Sequence, residues 1–423
     1  MVELKIENDK FIFSGKSNNI TEEKNKLLAP FNKQILNYAL KTQILPNKPQ
    51  ITLVHKSTGC KRLIKNLYID IEKDFYKRQG KYLNKSDFKT TCLKELKEKY
   101  QFLKEVDKYV LEDGCDCADD AYRKFFNKKG GYPKYASTKH PSGNRFTTKF
   151  TNNNIEILNI DGLYYLKLPK LGNVRLIMPK NFKYNIDEKI LNVTVEKVSN
   201  RYFVSILFET VIDKDTFSKF IEKNKIYSAD MGIKSLMVYG NNKSDFKIDN
   251  PKYFKVHEKR IRRLNKKLAR QVIGSNNRQK TINLLNKEYK KLSNQKKDFY
   301  HKLSKEIADK ADVFICEDLN IKGILKNKHL SKQVQNVSWY MLQTFIKYKM
   351  EKKNKLFIKA NRFFPSSQIC NHCNFKNTDI KDLKIRYYEC PKCHTLHDRD
   401  INAKNNLLTY GFETLQKDGY ILN

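Results

Sequence analysis

"CNHCNFKNTDIKDLKIRYYECPKCHTLHDRD", residues 370–400, decides how the rest of the chain is read. Two residues separate Cys370 from Cys373 and Cys390 from Cys393, and sixteen lie between the pairs. That spacing is the signature of a paired-knuckle zinc site. Four thiolates close a tetrahedral shell, so the predicted Zn²⁺ is structural and has no open position for chemistry. An iron–sulfur site, or one histidine replacing a cysteine, are the alternatives, because His372, His394 and His397 lie in the same stretch. The stretch ends on Asp398 and Asp400. Asp400 opens the helix-like run "DINAKNNLL", and Asp398 is suited to cap it by accepting free amide protons.

Two further carboxylates stand where apolar runs end. "VFICEDLN" (313–320) carries four apolar residues into Glu317 and Asp318, and "IYSADMG" (226–232) carries a strand-like run into Asp230 and then Gly232. Taken singly, each acid is an ordinary turn or cap residue. Together, Asp230, Glu317 and Asp400 suit phosphodiester hydrolysis with two divalent cations. Mg²⁺ is the predicted cation because it takes hard oxygen ligands and needs few carboxylates. Crowded acids repel one another before metal arrives, so at least one raised pKa is expected.

Charge supplies the polyanion. Lys and Arg number 84 against 46 Asp and Glu, a net +38, which favours nucleic acid as partner. Residues 252–303 alone hold seventeen basic and three acidic residues, with Ile261, Leu264, Leu268 and Val272 at helical spacing for a packed face. No run approaches the ~18–20 apolar residues that span a bilayer, so no membrane partner is expected. The start, "MVELKIENDKFIFSG", has no apolar signal region. Nine cysteines, an odd number, do not read as a secreted disulfide framework, and a reducing cytoplasm fits. Cys316 reads as core; Cys60, Cys92, Cys115 and Cys117 form at most a minor candidate for a second metal site.

Local pattern divides the chain. The first thirty residues read as a short strand and a loop, and residues 32–126 as helical, including "NKQILNYALKTQIL". "NKKGGYPKYASTKHPSGNRFTT" is a boundary loop rich in Gly, Pro and Ser. Five strand-like segments follow up to "RYFVSILFETV", suggesting a small antiparallel barrel or sheet. "KIYSADMGIKSLMVYGNNKSDFKID" reads as three strands with tight turns, and 252–310 as two long helices broken at "IGSNNR".

The segments "ADMG", "CEDLNIKGILKNKHLSKQVQNVSW", "RFFPSSQICNHC" and "CPKCHTLHDRDINAKNNLL" resemble the TnpB family of transposon-encoded RNA-guided nucleases, whose near relatives are compact type V CRISPR effectors. The likeness runs from about Lys225 to Leu408, with "LKEVDKYVLEDGCDCADDAYRKFFNKKGGYPKY" resembling the more divergent front part. It implies a multidomain α/β, all-α and β-barrel architecture. Its parts would be a wedge β-barrel (1–31 and 129–222), a helical recognition lobe (32–128) and an RNase H-like RuvC nuclease domain (223–365 and 397–423), with a zinc ribbon inserted at 366–396. It also implies Asp230, Glu317 and Asp400 as Mg²⁺-binding catalytic residues, and guide RNA and target double-stranded DNA as partners. Guide pairing would read sequence while protein reads backbone shape and a short adjacent motif. A monomer is expected, with a dimer as the other possibility.

Three positions depart from the family pattern. Asn374 and His394 stand where the knuckles commonly have glycine, and Lys404 replaces an alanine at what reads as a solvent-facing helix position. Phe363 and Phe364 read as core in preference to base-stacking residues. The competing functions are a catalytically silent RNA-guided repressor, against which the intact acidic triad argues, and a strand-joining transposase.

Overall fold

The computed structural model describes residues 2–7, 10–15, 20–138, 141–179, 188–198, 200–213, 218–324, 334, 336–381 and 385–423. Part of "CEDLNIKGILKNKHLSKQVQNVSW", at 325–333 and 335, lies outside them. The chain divides into two units, Met1–Asp213 and Lys214–Asn423.

The first unit begins with a hairpin of β1 (Val2–Glu7) and β2 (Lys10–Gly15), followed by a helix, Ile20–Leu28. One strand and a loop are therefore replaced by two strands and a helix. A second correction follows at once: "NKQILNYALKTQIL" is not helical. Residues Lys33–Leu45 form β3, a 13-residue strand paired along nearly its whole length with a later strand. Ile35, Leu40, Thr42 and Ile44 are buried, and long-range pairing overrides local helix propensity here.

The helical reading holds beyond that point. Lys48–Gln79 is a helix opened by a reciprocal capping box between Asn47 and Gln50 and closed by Gly80 at φ +63°. It packs on Lys108–Phe126 through a core that includes Ile64, Tyr68, Leu111 and Cys115. Then come β4 (Arg145–Lys149), β5 (Glu156–Ile160), β6 (Leu163–Leu168), β7 (Gly172–Leu176), β8 (Lys189–Val198) and β9 (Arg201–Asp213). With β3 they make a seven-stranded antiparallel sheet ordered β4-β8-β9-β3-β7-β6-β5. Phe146 on one edge strand and Ile157 on the other share one apolar core, so the sheet curls on itself. No strand pairing closes its edges among the described residues.

The second unit is built on a five-stranded sheet. Its strands are β11 (Ile226–Met231), β12 (Ser235–Gly240), β13 (Asp245–Asp249), β14 (Val313–Glu317) and β15 (Leu356–Ala360), ordered β13-β12-β11-β14-β15. The first three are antiparallel in sequence, as expected from "KIYSADMGIKSLMVYGNNKSDFKID", and β14 and β15 run parallel to β11. Asn241 shapes the second turn, its Oδ1 accepting from the amides of Lys243 and Ser244 at 2.9 Å each.

Strand alternation sorts the side chains by face. Tyr227, Ala229, Phe314 and Cys316 pack with Tyr300 and Ile307 of the long helix Asn276–Lys310 and with Leu342 and Ile346 of the helix Trp339–Lys352. Ile226, Val313 and Ile315 face the other way, against Leu407, Leu408 and Leu415 of the C-terminal helix Arg399–Lys417. Cys316 is core, as read from the sequence. The basic helical pair is Tyr253–Ala269 and Asn276–Lys310; Ile261 and Leu264 are buried, but Val272 lies past the helix end and is exposed.

Lys404 corrects another expectation. It is buried, 1% exposed, with its Nζ 2.9 Å from the Asn241 carbonyl and 2.7 Å from Asp245 Oδ1. An amphipathic side chain on a helix lying flat on a sheet can reach the turn beyond, so a charge there does not imply a solvent face. Phe363 is also exposed where core was expected, and Phe364 is half-buried against Tyr410. The chain closes with β16 (Tyr387–Glu389) and β17 (Leu396–Asp398) as a hairpin, and β18 (Ile421–Leu422), which pairs with β10 (Phe220–Ile221).

Candidate active site and cysteine centre

The strand register brings the acids together. β11 and β14 are parallel, with Ile226 opposite Val313 and Ala229 opposite Cys316. One more residue along each strand is Asp230 and Glu317, so the two carboxylates leave neighbouring strand ends about 4.8 Å apart. Alternation turns both toward the C-terminal helix, the face shared by Ile226 and Ile315. Asp400 sits in the first turn of that helix. Asp398 is its N-cap, with Oδ1 accepting from the amides of Asp400 at 2.9 Å and Ile401 at 3.2 Å. The capping expectation for Asp398 is met.

All three acids line one cleft of about 980 Å³. Burial, then the charges of Glu317 and Asp400, push the Asp230 carboxyl well above its ordinary range. Burial also raises Glu317, offset in part by the Ser366 hydroxyl bonded to its Oε1. The expectation of at least one raised carboxyl is met at Asp230, where neighbouring charge adds to burial, while Glu317 is raised by burial alone. The three do not meet as tightly as the cysteines do: among the described residues only the thiol group has all its ligand atoms within 4.8 Å of one another.

Several residues that support the cleft were not legible beforehand. Arg386 Nη1 lies 3.0 Å from Asp400 Oδ1 and 3.4 Å from Oδ2. It reaches the site because β16 and β17 pair Tyr387 with Asp398, placing the residue before one strand beside the helix start after the other. Lys234, Lys252, Lys255 and Lys296 line the same cleft, and burial lowers the Lys296 pKa. Gln343 Nε2 fixes the Glu317 carbonyl at 3.0 Å, and Trp339 Nε1 fixes that of Gly232 at 3.2 Å. The only sequence signal was polarity inside otherwise apolar or helical runs.

The cysteine centre forms as spaced. Cys370 and Cys373 are on one knuckle and Cys390 and Cys393 on the other. The Asn374 amide donates to the Cys370 carbonyl at 2.9 Å and that of His394 to the Cys390 carbonyl at 2.8 Å. Asn374 and His394 adopt φ +58° and +55°, so both turns take the left-handed backbone that glycine usually supplies. Sγ atoms of Cys370 and Cys393 are 3.7 Å apart, and those of Cys373 and Cys390 3.6 Å. A tetrahedral ion with ~2.3 Å metal–sulfur bonds requires roughly 3.8 Å, so the four thiols fit zinc. The Thr395 hydroxyl and backbone bring the Cys393 thiol down to about 5, while burial pushes Cys370 up to about 12. His397 Nε2, 3.1 Å from Cys370 Sγ, is a hydrogen-bonding neighbour of the cluster and not one of its four members.

Asparagines lock this ribbon to the acidic site. Asn402 Nδ2 donates to the Ile369 carbonyl at 2.7 Å, and its Oδ1 accepts from the Asn371 amide at 2.9 Å. One turn later Asn406 Nδ2 donates to the carbonyls of Ser366 and Ile369, at 2.7 and 2.6 Å. The helix that carries Asp400 thus holds both the entry to the knuckle and the Ser366 that bonds Glu317.

Comparison with known proteins finds similarity over most of the chain. Residues 209–328 match the OrfB_IS605 family, described as "Probable transposase", and residues 339–407 match "Cas12f1-like, TNB domain". Over these two segments the chain is similar to TnpB-type proteins. It is 27% identical over 376 residues to a Streptomyces pristinaespiralis protein provisionally named an RNA-guided DNA endonuclease, covering 88% of this chain and 89% of the other. It is 22% identical over 399 residues to Escherichia coli K12 InsQ, which has the same provisional name, covering 89% and 93%. Its fold is similar to that of Cas12f1 in a complex with single-guide RNA and target DNA, with a TM-score of 0.58 at 14% identity, covering 88% of this chain and 99% of that one. No helix among the described residues is long and apolar enough to cross a membrane.

Proposed function

We propose that this chain is an RNA-guided DNA endonuclease that hydrolyses target phosphodiesters in a RuvC-type site. The observation that carries the reading is the convergence of Asp230, Glu317 and Asp400 from two adjacent parallel strand ends and a helix start in one cleft. Support comes from relatives bearing that activity in their names over most of their length. On this reading the curled sheet of the first unit is the wedge, its helical pair the recognition lobe, and the five-stranded sheet an RNase H-like core interrupted by a zinc ribbon. Guide RNA and target DNA are the partners, met by a chain of net charge +38.

Asp230, Glu317 and Asp400 would hold Mg²⁺; their hard oxygen donors and raised pKa values suit a divalent cation. Bound there, two such ions supply an activated water and charge for the leaving oxygen. The chain's own residues do the rest. Ser366 and Gln343 fix Glu317, Asp398 fixes the helix start, and Arg386 balances Asp400 until cationic charge replaces it. Lys234, Lys252, Lys255 and Lys296 hold phosphates of the strand. Zn²⁺ on Cys370, Cys373, Cys390 and Cys393 keeps the ribbon folded and stays out of the chemistry.

The test is to co-express the chain with RNA from its flanking locus and challenge the purified complex with a DNA library bearing a randomised motif beside the guide-matched site. Cutting with Mg²⁺ and none without it is expected. Tight binding with no cutting supports a repressor, and joined products support a transposase.

A further inference from the structure

Phe363 is the most solvent-exposed large hydrophobic residue described, at 88%. Leaving such a ring in water forgoes the burial that ordinarily stabilises a phenyl side chain. Its backbone is not loose. The Phe363 amide donates to Asn361 Oδ1 and the Phe364 amide to the Asn361 carbonyl, each at 2.9 Å. Arg362 grips Asp318 Oδ2 through Nε at 3.0 Å and Nη2 at 2.6 Å, and the Phe364 ring packs 5.0 Å from that of Tyr410. The turn is pinned on both sides of a ring that touches little.

Both ends of this turn are tied to Glu317. Ala360 pairs with Glu317 across β14 and β15, and the Ser366 hydroxyl bonds the Glu317 carboxylate. Three residues of chain reach at most about 10 Å, so Phe363 lies within that distance of two residues joined to Glu317, one of the acids that line the cleft. Its exposed neighbours, Asn361 and Arg362, are polar. One rigid aromatic in a polar, cationic setting is poor ground for a protein interface, which needs a broad apolar centre. It is what a nucleobase stacks on.

We infer that Phe363 is a stacking platform for an unpaired base of the DNA strand approaching the acidic cleft. The inference rests on the nuclease reading, because a base must leave its duplex before its face is available.

The test uses the full chain in an Asp230→Asn background, so that binding is read without cutting. Fluorescence anisotropy with a labelled single-stranded DNA oligonucleotide should show Phe363→Ala weakening affinity roughly 5- to 150-fold, the span expected for one stacked base. Phe363→Trp should restore binding, and Phe363→Leu should not. An abasic oligonucleotide of the same length should bind equally to the chain that keeps Phe363 and to the Phe363→Ala variant, since its phosphates remain and its bases do not. Unchanged affinity in Phe363→Ala, an equal loss on the abasic strand, or a change in sedimentation that reveals lost self-association would each overturn the inference. Failure of the nuclease reading is separate and appears as a guide-loaded wild-type complex that does not cut.

Discussion

Arg386 Nη1 stands 3.0 Å from Asp400 Oδ1, so a residue of the cysteine ribbon neutralises a carboxylate of the acidic cleft. Arg386→Ala should therefore destabilise the metal-free protein. The guanidinium is 38% exposed, which limits the pair to about 1 kcal/mol. For a unit of this size that is a shift of about 2–4 °C in melting temperature. Adding Mg²⁺ should shrink the difference between variant and wild type, because the ion supplies the missing positive charge. Thermal unfolding of both chains with and without Mg²⁺ checks this; a difference that Mg²⁺ leaves unaltered contradicts it.

The raised carboxyls make stability depend on pH. Asp230 and Glu317 hold protons in the folded, metal-free chain at pH values where the unfolded chain, near 3.8 and 4.5, has released them. The folded state binds more protons in that window, so stability is highest below it and falls as pH rises through the raised folded values. Asp230→Asn should flatten the slope, and so should saturating Mg²⁺. Melting temperature followed upward from pH 4 decides the matter; a wild-type slope retained in Asp230→Asn would count against the crowding account.

The ribbon and the cleft should fail together. Removing one thiolate by Cys390→Ser forfeits metal binding that contributes on the order of 10 kcal/mol to local folding. Arg386 and the Asn402 and Asn406 contacts then lose their framework, although no acid has been changed. Zinc content should drop and cutting should be lost, while the first unit keeps its fold. Undiminished zinc and cutting would remove the cysteines from the account.

Close packing under Asp400 predicts a further effect. A Cβ on Gly411 would lie 2.6 Å from Ile315 Cδ1, inside the layer where the C-terminal helix meets β14. Gly411→Ala should cost about 1–3 kcal/mol by overpacking, and Ile315→Val in the same chain should return part of it. Denaturant midpoints of the two variants test this, and an unaffected Gly411→Ala protein would contradict the packing.

The three acids and four cysteines were legible because each sits at a break in local pattern: an apolar run that stops, a helix that starts, a repeated spacing. The basic helical pair and the three strands 226–249 were legible for the same reason. β3 was not, since "NKQILNYALKTQIL" satisfies helical and extended patterns alike until β9 is there to pair with it. Lys404 was misplaced because its burial depends on Asp245 and the Asn241 carbonyl, more than 150 residues away in sequence. Arg386, Asn402 and Asn406 gave no local sign beyond their polarity; their roles come from a strand pairing and a helix docking that bring distant segments together.

The most direct test of the acidic site is the rate at which a guide-loaded Glu317→Gln complex cuts matched DNA in Mg²⁺. The substitution keeps the side chain's size and a hydrogen-bonding partner for Ser366 while removing the charge. Cutting should fall by at least ~100-fold, the scale of one removed electrostatic contributor, with target affinity retained. Cutting at the wild-type rate would contradict the assignment of hydrolysis to the cleft of Asp230, Glu317 and Asp400.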